Sequence, residues 1–363
     1  LVGSEMCIRD RLHSLNPRAF DFSIEYQQKF LEHYLPILEN TPYVCGGTHW
    51  NFIDFSSALR DESMPRINNK GLAYSDRTPK DVFYYYKAAW RKDIPVLHIA
   101  SRDWIYRTGI QQGDSSVLLP VKIYTNLPEV ELSIDGKSLG RQQVDNYTAI
   151  FKAPFSSKEP LLLVQGNYQG TTVQDGIKVH FTPIPTNLNS TGLKDLELAV
   201  NVGSQCFYTS DESRLTWLPD QPYTKGSWGY IGGKELSTQT EIRRTADGPL
   251  FQTLRNGIEG YRFDVPRGVY EVELLFTDIF LQNEGIAYQL GREGEQKSRE
   301  NTFGISVNGK MLEEKLSPCK ESGYCQAMRK KYIITNDTDH IDIRFHPASG
   351  TCFLNGIKLR NIH

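Results

Sequence analysis

No two of the six cysteines (Cys7, Cys45, Cys206, Cys319, Cys325 and Cys352) stand at CxxC spacing, which argues against a structural zinc site. No apolar run reaches the ~20 residues that a membrane-spanning helix requires, so no membrane insertion is expected. Charge of one sign is also lacking. The 41 Lys and Arg nearly balance the 43 Asp and Glu, and a formal net charge of -2 gives no reason to expect nucleic acid or an anionic membrane as partner. No short-period repeat is evident. No secretory leader is visible, and a chain truncated at its N-terminus would have lost one.

What is present is an ordinary folded composition, 39% hydrophobic and 23% charged over 363 residues, long enough for two or three domains. The chain is fairly aromatic, with 19 Tyr, 17 Phe and 5 Trp. Flat ring faces suit both sugar binding and β-sheet cores, and composition alone favours the cores. Cys319 and Cys325 flank a short Gly-containing loop; they are compatible with a disulfide or with separate thiols. Asn146, Asn189 and Asn336 begin Asn-x-Thr/Ser triplets, a pattern common by chance.

From Asp21 to Asn40 the apolar residues Ile24, Phe30, Leu31, Tyr34, Leu35 and Leu38 recur at spacings of three and four, which predicts an amphipathic helix. Ser23 is its expected N-cap, and Thr41-Pro42 ends it. Tyr43 to Phe55 reads as a β-like run interrupted at Gly46-Gly47, residues 56–79 as a long polar loop, and Lys80 to Trp90 as a second helix. Helix, strand, long loop, helix is the closing quarter of a (β/α)₈ barrel, whose active sites sit at the C-terminal ends of the strands.

From Pro95 the pattern changes to short alternating strands separated by turn signals such as Asp135-Gly136 and Gly166-Asn167, which predicts a small β-sandwich over 95–183. Pro183 to Gly192 is rich in Pro, Asn and Ser and reads as a linker, placed at 184–197. Residues 198–363 form a second β-rich unit, with the alternating strand Gly268-Val-Tyr-Glu-Val-Glu-Leu-Leu-Phe and what reads as an insertion at 282–301.

The segment Tyr43-Val-Cys-Gly-Gly-Thr-His-Trp-Asn-Phe-Ile-Asp-Phe, continuing to Asn68-Asn-Lys-Gly-Leu-Ala-Tyr-Ser-Asp-Arg-Thr-Pro-Lys-Asp, resembles the end of the catalytic domain of glycoside hydrolase family 2, the β-galactosidases and β-glucuronidases. Val121 to Gly140 resembles the immunoglobulin-like domain that follows the barrel in many members. The order of strands in 198–363 resembles a malectin-like carbohydrate-binding domain. The fold so implied is mainly β with a small α/β part: a barrel remnant at 11–92, an immunoglobulin-like sandwich and a malectin-like sandwich. Residues 1–10 have no structural period, resemble translated adapter sequence and are set aside.

The resemblance implies an exo-acting, retaining β-glycosidase, with β-galactosidase as the main expectation and a glucuronidase or other anionic-sugar enzyme as the alternative. A third reading is a carbohydrate-binding module without catalysis. Retaining enzymes need two carboxyl groups about 5–5.5 Å apart, and in this family both are glutamates on earlier strands. Ser4-Glu5 imitates the start of the nucleophile motif, but Met6-Cys7 breaks it, so Glu5 is read as chance and no catalytic residue is assigned. Trp50 is expected in the sugar-binding wall, with the adjacent His49, Asn51 and Asp54 weaker candidates. Asn68 and Lys70 form the Asn-x-Lys motif that holds the substrate carboxylate in β-glucuronidases; an ammonium and an amide donor suit an anion. His13 is read as structural. In the malectin-like unit Tyr208, Trp217, Trp228, Tyr230 and Phe251 are candidates for a sugar platform, with Gln252, Arg255 and Asn256 adding hydrogen bonds, against the reading that half of these rings are core. The expected partner is an oligo- or polysaccharide glycan, no cofactor or metal is expected, and the parent protein is expected to be periplasmic or secreted.

Overall fold

The computed structural model describes residues 10–58, 64–111, 116–189, 196–280 and 300–362. Glu5, Cys7 and most of the expected insertion lie outside them. The chain divides into two compact units, Leu1–Thr186 with Cys206–Thr216, and Asn187–Gln205 with Trp217–His363.

In the first unit the helix Ile24–Asn40 starts where its cap was expected, with the Ser23 hydroxyl accepting the Tyr26 N–H at 3.1 Å. Phe30, Leu31 and Leu35 meet Val82, Tyr85, Tyr86 and Ala89 of the second helix, Asp81–Trp90, in one buried cluster. The expected strand over 43–55 is largely absent: only Phe55–Ser56 is strand, paired with Ile67–Asn68. Residues 51–54 instead bond to the loop. Leu72 N–H donates to Asn51 O (3.2 Å), Ala73 N–H to Phe52 O (3.0 Å) and Asp54 N–H to Ala73 O (3.0 Å). A segment with one hydrogen-bonding neighbour satisfies its backbone piecemeal, whereas a regular interior strand needs ladders on both edges.

The sandwich expected at 95–183 is present. Leu97–Ile99, Val117–Thr125 and Thr148–Phe155 form one sheet, and Thr171–Lys178, Leu161–Tyr168, Glu129–Ile134 and Lys137–Gln143 the other. Their alternating inward residues, among them Val121, Ile123, Leu132, Phe151 and Leu162, make one apolar core with Phe181 of the strand His180–Ile184. Asp135 (φ 49°) and Gly136 (φ 77°) make the two-residue turn between Ile134 and Lys137, as the Asp-Gly signal required. One sequence boundary moves: the strand Phe207–Thr209 belongs with the first unit, where Phe207 and Tyr208 pair with His13 and Leu12.

In the second unit one sheet runs Thr216–Pro219, Glu197–Asn201, Gly356–Asn361, Gly268–Phe276, Met328–Asn336. The other runs Trp228–Ser237, Thr253–Phe263, Ile341–Ser349, Thr302–Val307, Lys310–Leu316. Phe276 of the first meets Phe303 of the second at 5.9 Å between ring centres, so the sheets pack face to face. Cys319 and Cys325 are free thiols. Asn336 is buried and bonded to Thr338, so its triplet offers no accessible acceptor. Among the described residues no helix is long and apolar enough to cross a membrane.

Candidate functional site

The residues singled out between 49 and 81 come together on one loop cluster. Trp50 is 61% exposed, and the Trp50–Asn51 peptide is cis. The Trp50 indole stands edge-on to Phe55, 6.3 Å between centres at 86°, and Phe55 is the strand partner of Asn68. Trp50 therefore borders the loop that carries Asn68 and Lys70, which are both buried. Trp50 and His49 also border an apolar groove of about 430 Å³ with Leu31, Leu35, Tyr86 and Trp90. An exposed indole beside buried polar groups is an arrangement suited to a pyranose, which has both apolar faces and hydroxyl edges.

The weaker candidates are supports. His49 Nε2 lies 3.0 Å from the carbonyl of Lys70, and burial pushes its imidazole pKa down. The buried Asn51 donates to the carbonyl of Ile53. Asp54 and Lys80 form a buried ion pair, 2.7 Å from Lys80 Nζ to Asp54 Oδ2, their side chains 5% and 3% exposed. Burial drives the Asp54 carboxyl up and the Lys80 ammonium down, and the pair's mutual attraction pulls each back. Lys80 is the N-cap residue of the helix Asp81–Trp90, but its side chain makes no cap hydrogen bond. Its charge instead points into the loop cluster, with the ring of Tyr74 4.9 Å away.

A second polar cluster lies at His13, whose partners the sequence did not indicate. His13 is fully buried, its Nδ1 2.9 Å from Glu25 Oε1 and its ring stacked on Trp104 at 4.7 Å and 8°. The backbone N–H of Ser14 and the hydroxyl of Ser101 also donate to Glu25 (2.8 and 3.0 Å). Burial works against the imidazolium, but the Glu25 and Asp103 carboxylates outweigh it and raise the His13 pKa. Burial likewise opposes ionised Glu25, yet His13 and the hydrogen bonds hold its pKa below the ordinary value. Asp103 is pushed up to about 6 by burial. Glu25 lies off the apolar stripe of its helix, and nothing in the local sequence pairs it with His13.

Comparison with known proteins adds identity to this geometry. Residues 196–359 match the malectin domain model, and 117–171 match a domain of unknown function. A crystal structure of Bacteroides uniformis β-glucuronidase superposes with a TM-score of 0.90 at 73% identity, covering 98% of this chain and 41% of that one. Bacteroides uniformis β-glucuronidase 2, solved covalently bound to cyclophellitol-6-carboxylate aziridine, matches with the same TM-score, identity and coverage. A Bacteroides fragilis β-glucuronidase is 37% identical over 116 residues, 31% of this chain and 16% of its own length. The chain is a glycoside hydrolase relative carrying a malectin domain. It spans 41% of the solved relative's length and 27% of a curated Formosa agariphila relative that is 33% identical over 233 residues. The Bacteroides uniformis and Bacteroides fragilis relatives are named β-glucuronidases, which favours the anionic-sugar alternative over the β-galactosidase expectation.

Within the malectin domain's span most of the expected sugar platform is core. Tyr208, Trp217, Trp228 and Phe251 are all 2% exposed or less, and a ring enclosed on both faces has none to offer a sugar. Trp228 opens its strand at an inward position, and Phe251 is the buried end of the short helix Gly248–Phe251. Gln252 is buried and donates to Thr240 O at 3.1 Å. Arg255 is ion-paired with Asp220 at 2.9 Å. Of the five rings only Tyr230 is part-exposed, with the Arg255 guanidinium 3.2 Å from its ring centre. Asn256 is part-exposed and accepts the Thr351 hydroxyl at 2.7 Å.

Proposed function

We propose that this chain is part of a retaining β-glucuronidase that removes terminal β-linked uronic acids from glycans outside the cytoplasm, in the periplasm or after secretion. The observation that carries the reading is the Asn68-x-Lys70 pair held beside the exposed Trp50 indole, in a chain 73% identical to a β-glucuronidase. Trp50 serves as the wall against the apolar sugar face, and Asn68 and Lys70 contact the C6 carboxylate. An amide and an ammonium together give charge-assisted hydrogen bonds to a carboxylate that a hydroxymethyl group cannot replace. The related enzyme captured by a 6-carboxylate aziridine supports recognition of that group and a covalent step. Residues 11–92 serve as the closing part of a catalytic (β/α)₈ barrel, and sequence outside these 363 residues contributes the carboxylate nucleophile and acid. The malectin domain serves as a glycan-binding module.

The experiment compares 4-nitrophenyl β-glucuronide with the β-galactoside on the full-length gene product and on this chain alone. Turnover of the glucuronide by the full-length product, with none by the chain, is the expected result. Preference for the galactoside would return the reading to a β-galactosidase. Activity of the isolated chain would refute the placement of the catalytic carboxylates.

A further inference from the structure

Four backbone polar groups around Lys70 are held, the two outer ones by a single buried ion pair. The Lys70 N–H faces Asn68 Oδ1 at 3.4 Å, and its carbonyl meets His49 Nε2 at 3.0 Å. The carbonyl just before it, on Asn69, accepts the Lys80 ammonium at 3.1 Å. The N–H just after it, on Gly71, donates to Asp54 Oδ1 at 2.8 Å, and that same oxygen takes a second bond from Lys80 at 2.8 Å. The pair thus grips the peptides on both sides of Lys70 with opposite charges, each matched to the dipole it meets. The fit is close: a Cβ on Gly71 would stand 2.5 Å from Asp54 Oδ1 and 2.6 Å from Asp54 N.

We propose that Asp54 and Lys80 are positioning residues for the uronate contact, an ion pair whose function is to fix the direction in which Lys70 and Asn68 are presented. The inference rests on the proposed role of Lys70 and Asn68 and adds to it the residues that set their geometry. Ion pairing alone would not need the two backbone bonds; a helix-start ion pair would satisfy Lys80 as well on its own. Because Asp54 and Lys80 are 26 residues apart in sequence and reach residues 69 and 71, they tie the segment after Trp50, the specificity loop and the start of the helix Asp81–Trp90 into one rigid unit. A misplacement of about 1 Å at a charged contact costs on the order of 100-fold in rate.

The test uses the full-length gene product and two substrates differing only at C6, 4-nitrophenyl β-glucuronide and β-glucoside. Asp54→Asn and Lys80→Gln remove the ion pair. Gly71→Ala displaces the same loop without removing a charge, and so stands in if either charge variant fails to fold by thermal melt. The expected result is a fall of about 100-fold in the glucuronide-to-glucoside ratio of kcat/KM, carried mainly by KM for the glucuronide. Combined with Lys70→Ala, the loss should not add, since the pair acts through Lys70. Equal loss on both substrates, or full additivity with Lys70→Ala, overturns the positioning role. If Lys70→Ala itself leaves the ratio unchanged, the uronate reading fails. If Lys70→Ala lowers the ratio while folded Asp54→Asn and Gly71→Ala do not, only the positioning inference fails.

Discussion

Truncation of Lys70 is the sharpest perturbation of the proposed specificity. Lys70 is 5% exposed, and its peptide neighbours are fixed by four hydrogen bonds, so an ion pair formed there with a substrate carboxylate would be largely desolvated and would need little ordering. Removing one partner of such a pair leaves the other buried and poorly compensated, a loss of about 2–5 kcal/mol. Applied to the transition state, that is roughly 30- to 5,000-fold in kcat/KM. A sugar with a C6 hydroxymethyl group has no charge to leave unpaired, so its loss should be smaller by most of that factor. The assay measures kcat/KM for 4-nitrophenyl β-glucuronide, β-glucoside and β-galactoside with wild-type and Lys70→Ala full-length enzyme, with a thermal melt to confirm folding. A glucuronide preference that shifts by less than about threefold, under 1 kcal/mol, would refute the carboxylate role and leave Asn68-x-Lys70 a structural loop.

The His13–Glu25 pair gives a pH signature. The raised His13 pKa means that its contribution to stability is complete below the ordinary value of 6.5 and is lost as pH rises through the raised one, while the lowered Glu25 pKa makes its share complete above 4.5 and lost as pH falls further. Asp103, pushed up to about 6, also favours the folded state on the acid side. The Tm deficit of His13→Gln should therefore be largest between pH 4.5 and 6.5 and shrink as pH rises through the raised His13 pKa; a deficit independent of pH would contradict this assignment. Trp228→Ala should lower the stability of the malectin domain by about 3–5 kcal/mol in urea unfolding, because the ring is wholly enclosed; a near-neutral result would mean that the ring is not core. Tyr230→Ala should weaken glycan binding by the domain, read by calorimetric titration against glucuronate-containing oligosaccharides, with the melt left near wild type; unchanged affinity would remove this ring from any sugar site.

Local chemistry by itself determined much of this chain. Spacing of three and four, a Ser23 cap and the Thr41-Pro42 stop fixed the first helix to within a few residues, because helices are set by neighbours one turn away. Asp135-Gly136 determined a hairpin, because few residue pairs accept two successive positive φ angles. The stretch from Trp50 to Lys70 was legible as a candidate site because its motif resembles that of a known family. Tertiary structure alone decided which ring faces remained available: alternation separates two faces of a strand, but packing decides which is covered, and Trp228 is wholly buried. It also decided that 43–54 would not be a regular strand, since a strand exists only with partners to bond. The Asp54–Lys80 clamp and the His13–Glu25 pair were not readable for the same reason. Their members lie 26 and 12 residues apart, beyond any local period, and what brings them together is the burial that makes each charge require the other.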